Sequence, residues 1–279
     1  MTYRLVALDL DGTLMGSDLI IPPVVREAIA AARERGVCVT LATGRMFGAT
    51  LPFARQLGLT DPLICYQGAL IRHPVTGEVA AHTPMGGAEA AEAVELLLDA
   101  GIFAIAYVDE RLCFTERRAE FDFYLQHHPE GAEVVIRPDL PDFLRATPPT
   151  KLLFVAEPDV VTRELARLAP HFGPRLATTR SHAHYGELTA PDISKGRALA
   201  TLAARLGVPR EAVVAIGDQE NDRSMLEWAG LGLAMGNAPP AIQRAARAVI
   251  PPVSEAGVAW ALRRYILDAD DQAEAEGDS

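Results

Sequence analysis

The chain has 279 residues, 49% hydrophobic and 23% charged, the balance of a globular protein with one large or two modest domains and not of a disordered, collagen-like or coiled-coil chain. Its formal charge of −11 at pH 7 carries no basic stripe, which argues against nucleic acid as the main partner. No apolar run approaches the roughly 18 residues of a membrane span, and Asp9 and Asp11 interrupt the first apolar run before a signal peptide can form, so no membrane partner is expected.

In chain order, the first apolar run covers residues 5–8 and ends at Asp9. Pro22-Pro23 then opens a helix with Val25, Ile29 and Ala32 at helical spacing, stopped by Gly36. A second run, 37–42, ends at Thr43-Gly44, and a helical stretch over 49–57 is stopped by Gly58. A third run, 63–66, ends at Gln67-Gly68. Residues 70–74 and 78–82 read as a hairpin, 89–98 as a helix, and 102–108 and 112–116 as strands around a turn. A strand over 151–156, a helix over 160–168 and a strand over 175–179 follow. The pattern then returns to its opening form: a helix over 198–206, a run over 213–216 ending at Gly217-Asp218, a helix over 225–229, a run over 231–235 and a last helix over 258–266. Continuous apolar strands alternating with helices predict a parallel sheet with helices on both faces. The hairpins between them predict an α+β insert. The expected division is a discontinuous core of residues 1–83 and 188–267, an inserted domain of 84–187, and an acidic, solvated, disordered tail of 268–279. In that tail Asp268, Asp270, Asp271, Glu274, Glu276 and Asp278 stand without a base.

Cys38, Cys65 and Cys113 are odd in number, far apart and without a CxxC pair, which argues against a disulfide framework or a thiolate metal site and suits a reducing cytoplasm. Lysine occurs only at 151 and 195, against 24 arginines, so each retained lysine invites a specific role.

Polar residues gather just after the apolar runs: Asp9 and Asp11, then Thr43, then Asp218, Asn221 and Asp222, with Lys195 ahead of the helix before the last group. In an open parallel sheet, neighbouring strand ends converge on one crevice where ligands bind. Carboxylates repel phosphate, but a hard divalent cation accepts oxygen ligands and bridges to phosphate oxygens. A lysine and backbone amides at a loop–helix junction add positive potential.

Asp9-Leu10-Asp11-Gly12-Thr13 resembles the DxDGT motif of the haloacid dehalogenase superfamily. Ala42-Thr43-Gly44-Arg45, Ser194-Lys195-Gly196 and Gly217-Asp218-Gln219-Glu220-Asn221-Asp222 resemble its second, third and fourth motifs in order. The spacing is most similar to the Cof-like subfamily, whose α/β cap lies between the second and third motifs. One departure is Gln67-Gly68-Ala69, where such proteins often carry Asn-Gly-Ala. The resemblance implies a Rossmann-like parallel-sheet core with an inserted α+β cap domain, and a Mg²⁺-dependent phosphatase of small phosphorylated metabolites. It implies Asp9 as nucleophile, forming an aspartyl-phosphate, and Asp11 as acid and then base. It places phosphate on Leu10, Thr43, Gly44, Lys195 and Asn221, and Mg²⁺ on Asp9, the Asp11 main-chain carbonyl and Asp218, with Asp222 supporting the metal or Lys195. A phosphomutase using the same intermediate is an alternative, and a non-catalytic receiver-like phospho-acceptor is another. The adjacent DxDGT, the GDxxND and the long insert speak against the receiver. Arg45 is either a substrate contact or a solvated helix start. His182 and His184 are expected to be exposed residues of the insert and not metal ligands, and His127-His128 a helix end.

Overall fold

Four fully buried residues, Leu5–Leu8, form the first strand, β1, and its burial on both faces marks it as central. A computed structural model describes residues 2–127 and 132–268; His128 and positions 269–279 of the expected tail lie outside the described residues. Helix α1 (Pro23–Glu34) starts with proline at its first position and buries Val25, Ala28, Ile29 and Ala32, the i, i+3, i+4, i+7 stripe that faces a sheet. Strand β2 (Cys38–Leu41) pairs parallel to β1, Leu8 opposite Leu41. Helix α2 (Phe47–Gln56) leads to β3 (Leu63–Cys65), which touches the end of β2 through a parallel Ala42–Ile64 bridge. Strands β3, β4 (Leu70–Arg72) and β5 (Val79–His82) form a small sheet in that order.

The chain divides into two compact units. The first holds residues up to Thr43, Thr50–Ala80 and everything from Ser194 on, and the second holds Gly44–Ala49 and Ala81–Ile193. The second unit is built on six strands. After α3 (Gly87–Asp99) come β6 (Phe103–Val108), β7 (Arg111–Phe114), α4 (Ala119–His127), β8 (Glu133–Ile136), α5 (Leu140–Ala146), β9 (Lys151–Val155), α6 (Pro158–Phe172), β10 (Ala177–His182) and β11 (Tyr185–Thr189). They assemble in the order β10-β11-β9-β6-β7-β8, antiparallel except for β7 beside β8. Alternate residues separate its faces. Ala104, Ala106, Leu152, Phe154 and Leu188 join a core with the apolar stripes of α3, α5 and α6. On the opposite face, Phe103, Phe114 and Phe121 of α4 form a tilted ring cluster, Phe114 and Phe121 with centroids 4.6 Å apart. Helices α4 and α5 and strand β8 were not expected from the sequence. They are short, and β8 is largely exposed, so hydrophobic periodicity barely registers them.

The chain then returns to the first unit through α7 (Lys195–Arg205), β12 (Val213–Gly217), α8 (Arg223–Trp228), β13 (Leu231–Met235), α9 (Pro240–Ala245), β14 (Ala248–Ile250) and α10 (Gly257–Leu262). The main sheet has the order β14-β13-β12-β1-β2, parallel throughout. The fold is α/β: a Rossmann-like parallel-sheet core with helices, interrupted by an inserted α+β domain. Strand β1 lies between β2 and β12, so the chain leaves it to one side and later returns on the other. That is the topological switch point at which open parallel sheets bind ligands. The Asp9 N–H donates to the Ile216 carbonyl at 3.0 Å, so Asp9 leaves β1 beside the end of β12. None of the helices among the described residues is long and apolar enough to cross a membrane, and the three cysteines are free thiols.

Helix α7 begins against α8 at van der Waals distance. A Cβ added at Gly196 would lie 2.3 Å from the Ser224 carbonyl oxygen, and backbone cannot yield as a flexible side chain can. Gly196→Ala is therefore expected to lower the free energy of unfolding by about 1–3 kcal/mol, read from the midpoint of chemical denaturation, with unchanged fold by circular dichroism.

Candidate active site

Three loops of the first unit meet at the switch point. Asp9 follows β1, Asp218 and Asp222 follow β12, and Lys195 is the first residue of α7. Ser194 caps that helix, its hydroxyl accepting the Arg197 N–H at 3.2 Å. The cap fixes where the helix starts and hence where Lys195 stands. Lys195 has no exposed surface, and its Nζ donates to Asp9 Oδ1 and to Asp222 Oδ1, each at 2.6 Å. The other oxygen of Asp222 accepts the main-chain N–H groups of Asp218 and Gln219, both at 2.9 Å. Asp222 thus ties its own loop shut and holds the lysine against Asp9.

Asp218 sits among donors. The Thr13 hydroxyl donates to its Oδ1 at 3.1 Å, and Gln219 Nε2 to its Oδ2 at 2.9 Å. Asn237 Nδ2 spans the Gly12 carbonyl at 2.9 Å and Asp218 Oδ2 at 3.4 Å. Gly12 has φ +85°, and a Cβ there would lie 2.3 Å from Asp218 Oδ2, so only glycine lets the turn after Asp11 close over this carboxylate. Asn221 donates through Nδ2 to Gln67 Oε1 at 3.0 Å, and the Gln67 N–H donates to the Thr43 carbonyl at 3.0 Å. Gln67 is a buried residue at φ 60° that links Asn221 to the end of β2.

Electrostatics follow from burial. Asp9, Asp218 and Asp222 each offer an oxygen within 4.8 Å of the others, with one lysine among them. Burial, then Asp222, raise the Asp9 carboxyl well above the usual range, against the pull of Lys195. Burial and Asp222 push Asp218 up to about 6, although hydrogen bonds from Gln219 and Thr13 oppose this. Burial works against the charged form of Lys195, but Asp222 and Asp9 outweigh it and raise the ammonium above its ordinary value. The lysine stays charged, and the carboxylates carry surplus negative charge. A hard divalent cation fits such an all-oxygen donor set, which lacks the thiolate or imidazole ligands that favour zinc.

The structure brings together Asp9, Thr43, Lys195, Asp218, Asn221 and Asp222 in the first unit. The side chain of Asp11 is exposed and outside the three-carboxylate group, and its expected metal contact was through the main chain. Leu10 is buried, its carbonyl accepting the N–H groups of Thr13, Leu14 and Met15. Gly44 and Arg45 group with the second unit, and Arg45 is buried, not solvated. His182 and His184 lie at the β10–β11 turn with rings 5.8 Å apart, and neither joins a three-residue ligand group among the described residues. Sequence reasoning missed Gln219 and Asn237 as partners of Asp218. The signal for Asn237 was present, because a polar residue follows the run 231–235 as polar residues follow the other strands.

A family model described as haloacid dehalogenase-like hydrolase matches residues 6–262, and the chain belongs to that family of enzymes. It is 32% identical to pyridoxal phosphate phosphatase YbhA of Escherichia coli, over 96% of this chain and 100% of that protein. It is 28% identical to 5-amino-6-(5-phospho-D-ribitylamino)uracil phosphatase YitU of Bacillus subtilis, over 94% and 97%. Among solved structures it is similar to a haloacid dehalogenase-like hydrolase from Bacteroides thetaiotaomicron, with TM-score 0.85, 26% identity and coverage of 94% and 99%. A crystal structure from Thermotoga maritima matches with TM-score 0.84 at 30% identity, covering 94% and 97%.

If surplus carboxylate charge makes a cation site, Mg²⁺ should raise the melting temperature of the metal-free protein. Asp218→Asn should raise the metal-free melting temperature by relieving repulsion and should remove most of the Mg²⁺-induced increase. Differential scanning fluorimetry with and without Mg²⁺ checks both, and an undiminished Mg²⁺ shift in the variant contradicts the assignment of Asp218.

Proposed function

We propose that the chain is a Mg²⁺-dependent phosphatase of small phosphorylated metabolites that works through an aspartyl-phosphate on Asp9. The observation that carries this reading is the contact of Lys195 Nζ with Asp9 at 2.6 Å inside a buried three-carboxylate group. A lysine there offsets charge on both the nucleophile and an incoming phosphoryl group. Relatives named as phosphatases of pyridoxal phosphate and of a phosphoribitylaminouracil, each aligned over nearly its whole length, support the reaction class.

Bound Mg²⁺ supplies positive charge that lets a phosphate dianion approach carboxylates, and Asp9, Asp218 and the Asp11 main-chain carbonyl would hold it. The remaining work belongs to side chains. Asp9 attacks phosphorus through its carboxylate; Lys195 pulls toward the ionised form against burial and Asp222, and the charge of a bound cation would add to that pull. Asp11 donates a proton to the departing alkoxide and then takes one from the water that cleaves the acyl-phosphate. Thr43, Gly44, Asn221 and Lys195 offer hydrogen-bond donors to phosphate oxygens, and Gln67 holds the Asn221 amide in place. Asp222 keeps Lys195 charged and aimed. Electrostatic stabilisation of this kind carries most of the rate enhancement in phosphoryl transfer. The inserted domain, residues 84–187 in the sequence reading, serves as the cap that covers the reaction and reads the leaving group.

Hydrolysis of p-nitrophenyl phosphate should stop on metal removal by EDTA and return with Mg²⁺; full turnover by metal-free enzyme contradicts the metal dependence. Asp11→Asn, given a substrate with a good leaving group, should accumulate phosphoryl label on the peptide that contains Asp9, because nothing activates the water for the second displacement. Rapid-quench labelling and mass spectrometry read this directly, and Asp9→Asn should show neither label nor turnover.

A further inference from the structure

The sheet of the second unit ends in two different edges. At one end β10 carries Arg180, Ser181 and His182, with a break in register between Arg180 and His182. Polar side chains and a bulge of this kind blunt an exposed edge. At the other end lies β8, and no strand pairs with its outer side among the described residues. It holds no proline or lysine and pairs with β7 in unbroken register. Val134 is 41% and Ile136 54% exposed, whereas Val135 between them packs on the core shared with α3, α5 and α6. Val134 and Ile136 therefore share the opposite face of the sheet.

Register says which backbone groups of this edge are unclaimed. Strand β8 runs parallel to β7 with Ile136 opposite Phe114, and the Arg137 N–H donates to the Phe114 carbonyl at 2.8 Å. Backbone groups point alternately to the two sides of a strand. Glu133, Val135 and Arg137 thus face β7, and the N–H and C=O of Val134 and Ile136 face outward. The segment reads Glu133-Val134-Val135-Ile136-Arg137. Antiparallel pairing with an identical strand, centred on Val135, sets Val134 of each copy against Ile136 of the other. Those are the residues with outward groups, so each such pair exchanges both of its backbone hydrogen bonds. The same register sets Glu133 of each copy opposite Arg137 of the other. Centred on Val134, it would oppose Glu133 with Val135; centred on Ile136, with Asp139. Within one chain Arg111 Nε lies 3.5 Å from Glu133, and Arg137 Nη2 donates to Asp139 at 2.9 Å. A carboxylate and a guanidinium each keep further hydrogen-bonding positions beyond one such contact.

We propose that β8 is a self-association edge: two copies of this chain pair antiparallel through Glu133–Arg137 about a two-fold axis at Val135, joining their sheets into one. The partner is a second copy because the strand complements itself in backbone groups, in apolar side chains and in charge. The contact is isologous and therefore closes at two copies, which removes the edge from further pairing. It is short, so association is weak and depends on concentration. The inference does not depend on the phosphatase reading.

The test is sedimentation velocity of the full chain from low-micromolar to several-hundred-micromolar concentration. Wild type should pass from monomer to dimer as concentration rises. Glu133→Arg should weaken association by roughly 10-fold, because the axis presents each like-charged pair twice. Arg137→Glu should do the same, and an equimolar mixture of the two variants should recover wild-type association, since both cross-strand pairs are then opposite in charge. Ile136→Pro removes an outward N–H and no bond to β7, so it should abolish the dimer with an unchanged circular dichroism spectrum. A wild type that stays monomeric throughout overturns the proposal, as does a dimer that Glu133→Arg and Ile136→Pro leave intact. A mixture of folded charge variants that associates no better than either alone overturns the pairing centred on Val135. If Arg137→Glu does not fold, Glu133→Arg and Ile136→Pro decide.

Discussion

A lysine ammonium without solvent contact stands 2.6 Å from two carboxylates, Asp9 and Asp222, and the organisation of the first unit follows from keeping it there. Taking an ammonium out of water is costly unless its partners are close and their remaining lone pairs are satisfied. The fold meets both conditions. The α7 cap at Ser194 sets the height of Lys195, and the close approach of α7 to α8 requires glycine at 196. The Asp222 carboxylate spends its second oxygen on two amides of its own loop. Asp9 is delivered by the innermost strand of a parallel sheet whose strands β1 and β12 are locked in register. What remains is surplus negative charge on Asp9 and Asp218, which supports the reading of a cation site facing the phosphoryl group.

Much of this was legible in the sequence for a physical reason. Strands buried on both faces are continuous apolar runs, and polar residues immediately after them mark the sheet edge where ligands bind. That rule alone places Asp9, Thr43 and Asp218 at strand ends, where the structure has them, and the spacing of the cysteines matches their free thiols. The same rule collected Asn221, Asp222 and Lys195, and the ordered motifs then grouped them with a family. The link of Asn221 to Gln67 was not legible, because it joins residues 154 positions apart through a backbone at positive φ that no local pattern signals. The ring of Gln219 and Asn237 around Asp218 was hidden for the same reason. In the inserted domain, long strands were read from their apolar content, whereas α4, β8 and α5 were lost among polar residues. Lys151 could be singled out by rarity, but its partner Glu187 follows only from the pairing of β9 with β11.

The two units solve different problems with similar means. In the first, a buried lysine balances more carboxylates than it can neutralise, which leaves a demand for positive charge. In the second, a buried lysine is matched by a single buried carboxylate, Glu187.

In the proposed mechanism a carboxylate oxygen of Asp9 takes the phosphoryl group before water does. Two displacements at phosphorus, each with inversion, cancel. The most direct measurement is therefore the stereochemical course of hydrolysis of an isotopically chiral phosphate monoester. Net retention is the predicted result; net inversion contradicts the covalent step and leaves direct attack by water.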